Sequence, residues 1–104
     1  MLLVPVAISF WPRVTADNYA QIDVGMLLTD VEQILGKPRY DDSEYGLVGE
    51  TGAYVTNSSL SEQDKLAMGY QKYRRLQWMS HEITIVVVVD ANGRVATRYR
   101  GEGQ

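Results

Sequence analysis

Seven consecutive residues, Ile83-Thr84-Ile85-Val86-Val87-Val88-Val89, are all β-branched. Branching at Cβ restricts χ1 and favours the pleated backbone over the helix, so this run predicts a strand, and its unbroken apolar character predicts a central one. Asp90-Ala91-Asn92-Gly93-Arg94 follows and predicts a hairpin. A two-residue Asn-Gly loop would set Asp90 opposite Val95 and Val88 opposite Thr97. A type I turn over Asp90–Gly93, with Gly93 in a bulge, would instead pair Asp90 with Arg94 and Val89 with Val95. The second register suits Asp at the first turn position and Gly at the last. It puts Ile83, Ile85, Val87, Val89, Val95, Thr97 and Tyr99 on one face. A one-residue slip would turn that whole set over, so the bulged turn is the expected one.

Upstream, a tight connection at Ser80-His81 would pair Trp78 with Ile83 and Leu76 with Ile85, adding Leu76 and Trp78 to the same face. That face is the expected core. The opposite face would present Thr84, Val86, Val88 and Ala96, flanked by Arg75, Gln77, Arg94 and Arg98. An apolar strip framed by arginines needs a cover, either the chain's own middle segment or another chain.

Two short helices are expected before the sheet. Thr15 is a capping hydroxyl ahead of Asp17, and Tyr19 and Ile22 lie three apart on one helical face. Asp23-Val24-Gly25 breaks that helix. Thr29 is the N-cap candidate for the second, in which Val31, Ile34 and Leu35 form an amphipathic stripe. Gly36 falls where a C′ glycine belongs, and Pro38 stops the helix resuming. Arg39 to about Ser61 reads as a loop, with weak strand character only at Ala53–Thr56. Ser61-Glu62-Gln63-Asp64 reads as a capping box, with Leu66, Gly69, Tyr70 and Tyr73 continuing a marginal helix. An irregular stretch this long inside a compact domain marks a functional excursion or disorder.

The 104-residue chain suits one domain. Its 45% hydrophobic and 22% charged content is that of a folded soluble protein. There is no cysteine, which excludes disulfides, a thiolate nucleophile and a cysteine zinc site. The net charge of −3 is split between an acidic middle (Asp41, Asp42, Glu44, Glu50, Glu62, Asp64) and a basic end with arginines at 74, 75, 94, 98 and 100. Nucleic acid is not an expected partner, because that needs a denser basic patch on a basic chain. The expected organisation is an apolar N-terminal segment at 1–14, one domain at 15–100 and a tail at 101–104. Met1–Trp11 is too short to span a bilayer and lacks the basic start of a signal peptide. It reads either as the remnant of an export or anchor segment or as an extended segment packed on the domain, with Pro5 breaking any helix. Membrane contact is expected only through it.

Ile22-Asp23-Val24-Gly25-Met26, then Asp30-Val31, then Leu35-Gly36-Lys37-Pro38, resemble the signature of the small outer-membrane-assembly lipoprotein family (SmpA/OmlA, BamE-like), to which modules like the β-lactamase inhibitor protein are related. Trp78 on the first strand and the Asp90–Gly93-Arg94-Val95 hairpin follow in the family's order. The resemblance covers Tyr19–Tyr40 and Arg74–Arg100. It implies an α+β fold in which two short N-terminal helices pack on a three-stranded antiparallel β-meander, here with a long helix-to-strand excursion. Gly25, Met26, Val31, Leu35, Gly36, Pro38, Trp78, Asp90 and Gly93 would be its structural residues. It also implies a non-catalytic protein-binding or scaffolding role in the bacterial cell envelope. The chain departs from the family in lacking a lipid-accepting cysteine, in having Val89 where the family has an aromatic, and in the length of Asp41–Tyr73.

No catalytic, metal or cofactor site is expected. His81 is the sole histidine and falls in a turn, and Ser58 and Ser59 have no neighbouring base. Asp41, Asp42 and Glu44 lack EF-hand spacing. The Asn57-Ser58-Ser59 sequon is coincidental on the bacterial reading. The candidate protein-interaction residues are Val86, Val88, Arg75, Arg98, Tyr54, Tyr70 and Tyr73. The tyrosines would either form a recognition surface or pin the excursion to the sheet. The partner is another protein or, alternatively, a second copy packing its Val86/Val88 face.

Overall fold

The structure is a computed structural model describing residues 13–103. What was expected of Met1–Trp11 lies outside the described residues. The elements run α1 (Ala16–Tyr19), α2 (Leu28–Leu35), β1 (Tyr40–Val48), β2 (Tyr54–Val55), α3 (Glu62–Ala67), β3 (Gln71–Met79), β4 (Ile83–Val89) and β5 (Val95–Glu102). All strands pair antiparallel in the order β2-β1-β3-β4-β5. The expected three-stranded meander under two N-terminal helices is therefore incorrect. The fold is a five-stranded antiparallel sheet with three short helices.

The difference lies in the excursion. The stretch read as loop contains β1, nine residues long, which pairs with β3 from Tyr40↔Gln77 to Gly46↔Gln71. Its composition is poor for a strand, and the free edge of β3 imposes the conformation that local preference does not. Ser61 does cap α3, accepting a hydrogen bond from the Asp64 N–H (3.1 Å). The helix stops at Ala67, however, and Tyr73 belongs to β3.

One face of the sheet carries the core. Leu76, Trp78, Ile83, Ile85, Val87, Val89 and Val95 meet Ile22 and the α2 residues Leu28, Val31 and Leu35 there. Ile22 is buried although α1 ends at Tyr19, short of the expected span. Trp78 Nε1 donates to the Gly36 carbonyl at 2.9 Å, which ties the end of α2 to β3. The Arg13 guanidinium donates to carbonyls of Glu32, Gln33 and Ile34 at the same end of α2. A cation there also offsets the negative end of the helix dipole. Val14 packs at the core's margin.

Helix α2 begins two residues earlier than Thr29 suggested, with Leu27 as N-cap and no side-chain cap. Its cap comes from the hairpin. The Leu28 N–H donates to the Gly93 carbonyl (2.9 Å), while Gly25 N–H donates to Val95 O and Val95 N–H to Met26 O (2.8 Å each). The Gly93 carbonyl thereby satisfies the Leu28 N–H, one of the donors that a helix start leaves open.

The hairpin turn has the expected bulged form. Asp90 N–H donates to Arg94 O, Gly93 N–H to Asp90 O, Gly93 has φ of 77°, and Val89 pairs with Val95. A second irregularity follows at once. The register shifts between Val88 and Val89, so Val88 pairs with Thr97 and Val86 with Tyr99. The extra residue is Ala96, and it reverses the facing of everything after it. Thr97 and Tyr99 thus leave the expected core face, and Arg98 and Arg100 take the helix side. At the other hairpin Trp78 pairs with Ile85 and Leu76 with Val87, two residues off the expected register. The Ser80-His81-Glu82 connection is longer than a tight turn, but the two-residue offset leaves the facing unchanged.

Candidate functional site

The second face of the sheet was the expected place for an interaction, because Val86 and Val88 sit there. In the folded chain Val86 is 4% exposed and Val88 is fully buried. Tyr73 and Thr97, on the same face, are buried too. The β1–β2 segment returns over them. Thr97 Oγ1 donates to the Gly52 carbonyl at 2.6 Å, so the loop between β1 and β2 touches the last strand of the sheet. Since β2 and β5 are opposite ends of the strand order, this bond shows a sheet curled until its two ends approach.

Tyr54 completes the cover. Its ring meets Tyr73 edge-on, with centroids 5.8 Å apart at 88°. Its hydroxyl donates to Glu44 Oε2 at 2.6 Å. The ring lies so close over Gly46 that any Cβ there would overlap it, which is why a glycine occupies this strand position. Burial, then the hydrogen bond to the Glu44 carboxylate, pushes the Tyr54 phenol well above its ordinary pKa. Burial raises Tyr73 as well.

The other candidates separate. Tyr70 is buried where the chain enters β3. Arg75 stays on the second face, where its Nε donates to the Tyr99 hydroxyl (3.2 Å); that bond raises its pKa. Arg98 lies on the helix side, donating to the Ile22 carbonyl and to the Tyr19 hydroxyl (2.8 Å), with its guanidinium 4.6 Å from the Tyr19 ring centre. Arg94, expected on the second face, instead donates to the Gly25 carbonyl (2.9 Å). The seven proposed interaction residues therefore form no single surface. Most of them hold the fold together, and Tyr54 and Tyr73 act as pins.

The acidic middle meets the basic end at one ion pair among the described residues, Asp41–Arg74 at 2.6 Å. Both side chains are well exposed, so the pair contributes at most about 1 kcal/mol. Asp41, Asp42 and Glu44 lie along β1, and no group of three or more metal-ligating side chains occurs among the described residues. No described helix is long and apolar enough to cross a membrane.

Sequence reasoning missed a different feature. Large apolar side chains are exposed to solvent along residues 40–68: Tyr40, Leu47, Val55, Leu66 and Met68, the last at 60% exposure. Leu47 and Val55 are direct cross-strand partners, and α3, which carries Leu66, is tied to β1 by the Tyr45 hydroxyl donating to Glu62 (3.2 Å). Without β1 in view, nothing in the pattern paired Leu47 with Val55. No family model, curated protein or solved structure matches this chain.

Proposed function

We propose that this protein is a non-catalytic protein-binding module that docks a partner through the excursion, in the setting of a bacterial cell envelope. The observation carrying the proposal is the exposure of the paired Leu47 and Val55, and of Leu66 and Met68, on the segment that also folds back to cover the sheet. A domain that buries Val86 and Val88 under its own chain yet leaves these residues in water has apolar area suited to a partner. The envelope setting is supported by the resemblance of Ile22–Pro38 and the Asp90–Val95 hairpin to the SmpA/OmlA family.

The test is in-cell crosslinking of the full-length protein in its native bacterium, with a photoreactive residue at Val55 or Met68, followed by fractionation. A discrete crosslinked protein, lost in the Leu66→Glu, Met68→Glu double variant and recovered with the envelope fraction, is the expected result. Absence of any discrete adduct at either position would overturn the binding role. An adduct confined to the cytosolic fraction would overturn the envelope setting alone.

A further inference from the structure

Beyond the excursion, β5 ends the sheet with an outer edge that, among the described residues, is closed only at its start. Val95 spends its N–H and C=O on Met26 and Gly25. In an antiparallel ladder backbone groups point alternately towards and away from the neighbouring strand. Val95 points away from β4, and the extra residue at Ala96 shifts the alternation by one. The outward backbone groups that follow are therefore those of Arg98, Arg100 and Glu102. Among the described residues no strand lies beyond them. Tyr99, Arg100, Gly101 and Glu102 are all exposed, and a Cβ on Gly101 would meet nothing within 4 Å.

This edge carries a distinctive side-chain pattern. Arg98, Arg100 and Glu102, two apart, face the helix side; Arg98 is half-buried with its guanidinium on the Ile22 carbonyl and the Tyr19 hydroxyl, Arg100 is exposed, and neither arginine has a carboxylate within ion-pair distance among the described residues. On the opposite side Tyr99 is 39% exposed and borders the buried Val86 with which it pairs. Edge arginines ordinarily discourage strand addition, because an incoming neutral or basic strand would desolvate or repel them. An incoming strand with acids opposite Arg98 and Arg100, ending short of Glu102, converts that penalty into attraction. Its remaining side chains would fall on Tyr99, inside the curl of the sheet. A second copy adding its own β5 in register about Tyr99 would bring Arg98 against Arg100; one shifted to Gly101 would set Arg100 against Glu102 and shows in the test below as a concentration-dependent dimer.

We infer that the β5 edge from Arg98 to Glu102 takes up an extended segment of a partner protein by strand addition, the segment alternating acidic with apolar residues. Acids two residues apart face Arg98 and Arg100, and apolar residues cover Tyr99. This surface is separate from the excursion patch, and the inference stands or falls independently of it.

The experiment uses the full chain and fluorescent eight-residue peptides alternating glutamate with valine, or lysine with valine. Fluorescence anisotropy reads binding, and amide hydrogen exchange reads location. The glutamate peptide should bind saturably and slow exchange at the Arg98 and Arg100 amides. The lysine peptide should bind at least tenfold more weakly. Arg100→Glu should reverse that preference while leaving the melting temperature close to wild type, since Arg100 is exposed. Failure of the glutamate peptide to bind would overturn the inference. So would protection confined to β1 or the excursion, equal binding of both peptides, or a concentration-dependent dimer protected at β5 without peptide.

Discussion

Tyr54 holds the returning chain at both ends of its side chain, with its ring on Tyr73 and its hydroxyl on Glu44. Its folded-state pKa lies above the unfolded value of 10.0. A group whose pKa is raised by folding stabilises the fold fully below its unfolded pKa and loses that contribution as pH climbs through the folded value. Tyr73 shifts in the same direction. The melting temperature should therefore fall as pH rises from about 9 to about 11, and Tyr54→Phe should flatten that fall. At neutral pH the same variant should lose about 1 kcal/mol, the usual worth of one hydrogen bond, as read by urea denaturation. A pH profile identical in wild type and variant would show that Tyr54 does not titrate as placed. Little of this was visible beforehand. The clustering of tyrosines suggested either recognition or pinning, and only the closeness of Gly46 and Tyr54 decides for pinning.

Elements whose own chemistry specifies them were legible. The Val31, Ile34 and Leu35 stripe, the Asp90–Gly93 turn and the run Ile83–Val89 all appear in the structure as α2, a bulged hairpin and β4. β1 was not, because Asp41, Asp42, Ser43, Glu44 and Gly46 have low strand preference and become a strand only through β3. The Ala96 bulge was equally hidden. Thr97 and Tyr99 look like inward residues and Arg98 and Arg100 like outward ones, and no local residue signals the reversal. A strand held by tertiary pairing should nevertheless resist opening. In hydrogen exchange, amides across Asp41–Gly46 that bond to β3 should exchange far more slowly than those of Thr56–Ser59. Limited proteolysis should first cut in 56–61, ahead of α3, and spare 40–48. Early cleavage within β1 would contradict its place in the sheet.

At the scale of the whole molecule the chain closes its valine-rich strand from both sides. The helices cover one face and the β1–β2 segment, through Gly52 and Tyr54, the other. Val86→Glu combined with Val88→Glu should therefore unfold the monomer, whatever its state of association. Each buried, unpaired carboxylate costs several kcal/mol, and domains of this size have roughly 5–15 kcal/mol in all. Circular dichroism would show the loss of the sheet. A folded, monodisperse double variant would show that the cover is loose. The cover of Val86 and Val88 was not legible for a reason of scale, since an apolar strip on a strand says that something covers it but not which segment does.

The bonds from Leu28 to Gly93, and from Gly25 and Met26 to Val95, fasten the start of α2 to the last hairpin of the chain. During synthesis this helix emerges from the ribosome long before Gly93, whose carbonyl satisfies its first donor. A helix of eight residues is too short to persist alone in water. Its formation must wait for β4 and β5, so the early and late parts of the chain fold in one step, at the slow pace set by distant contacts.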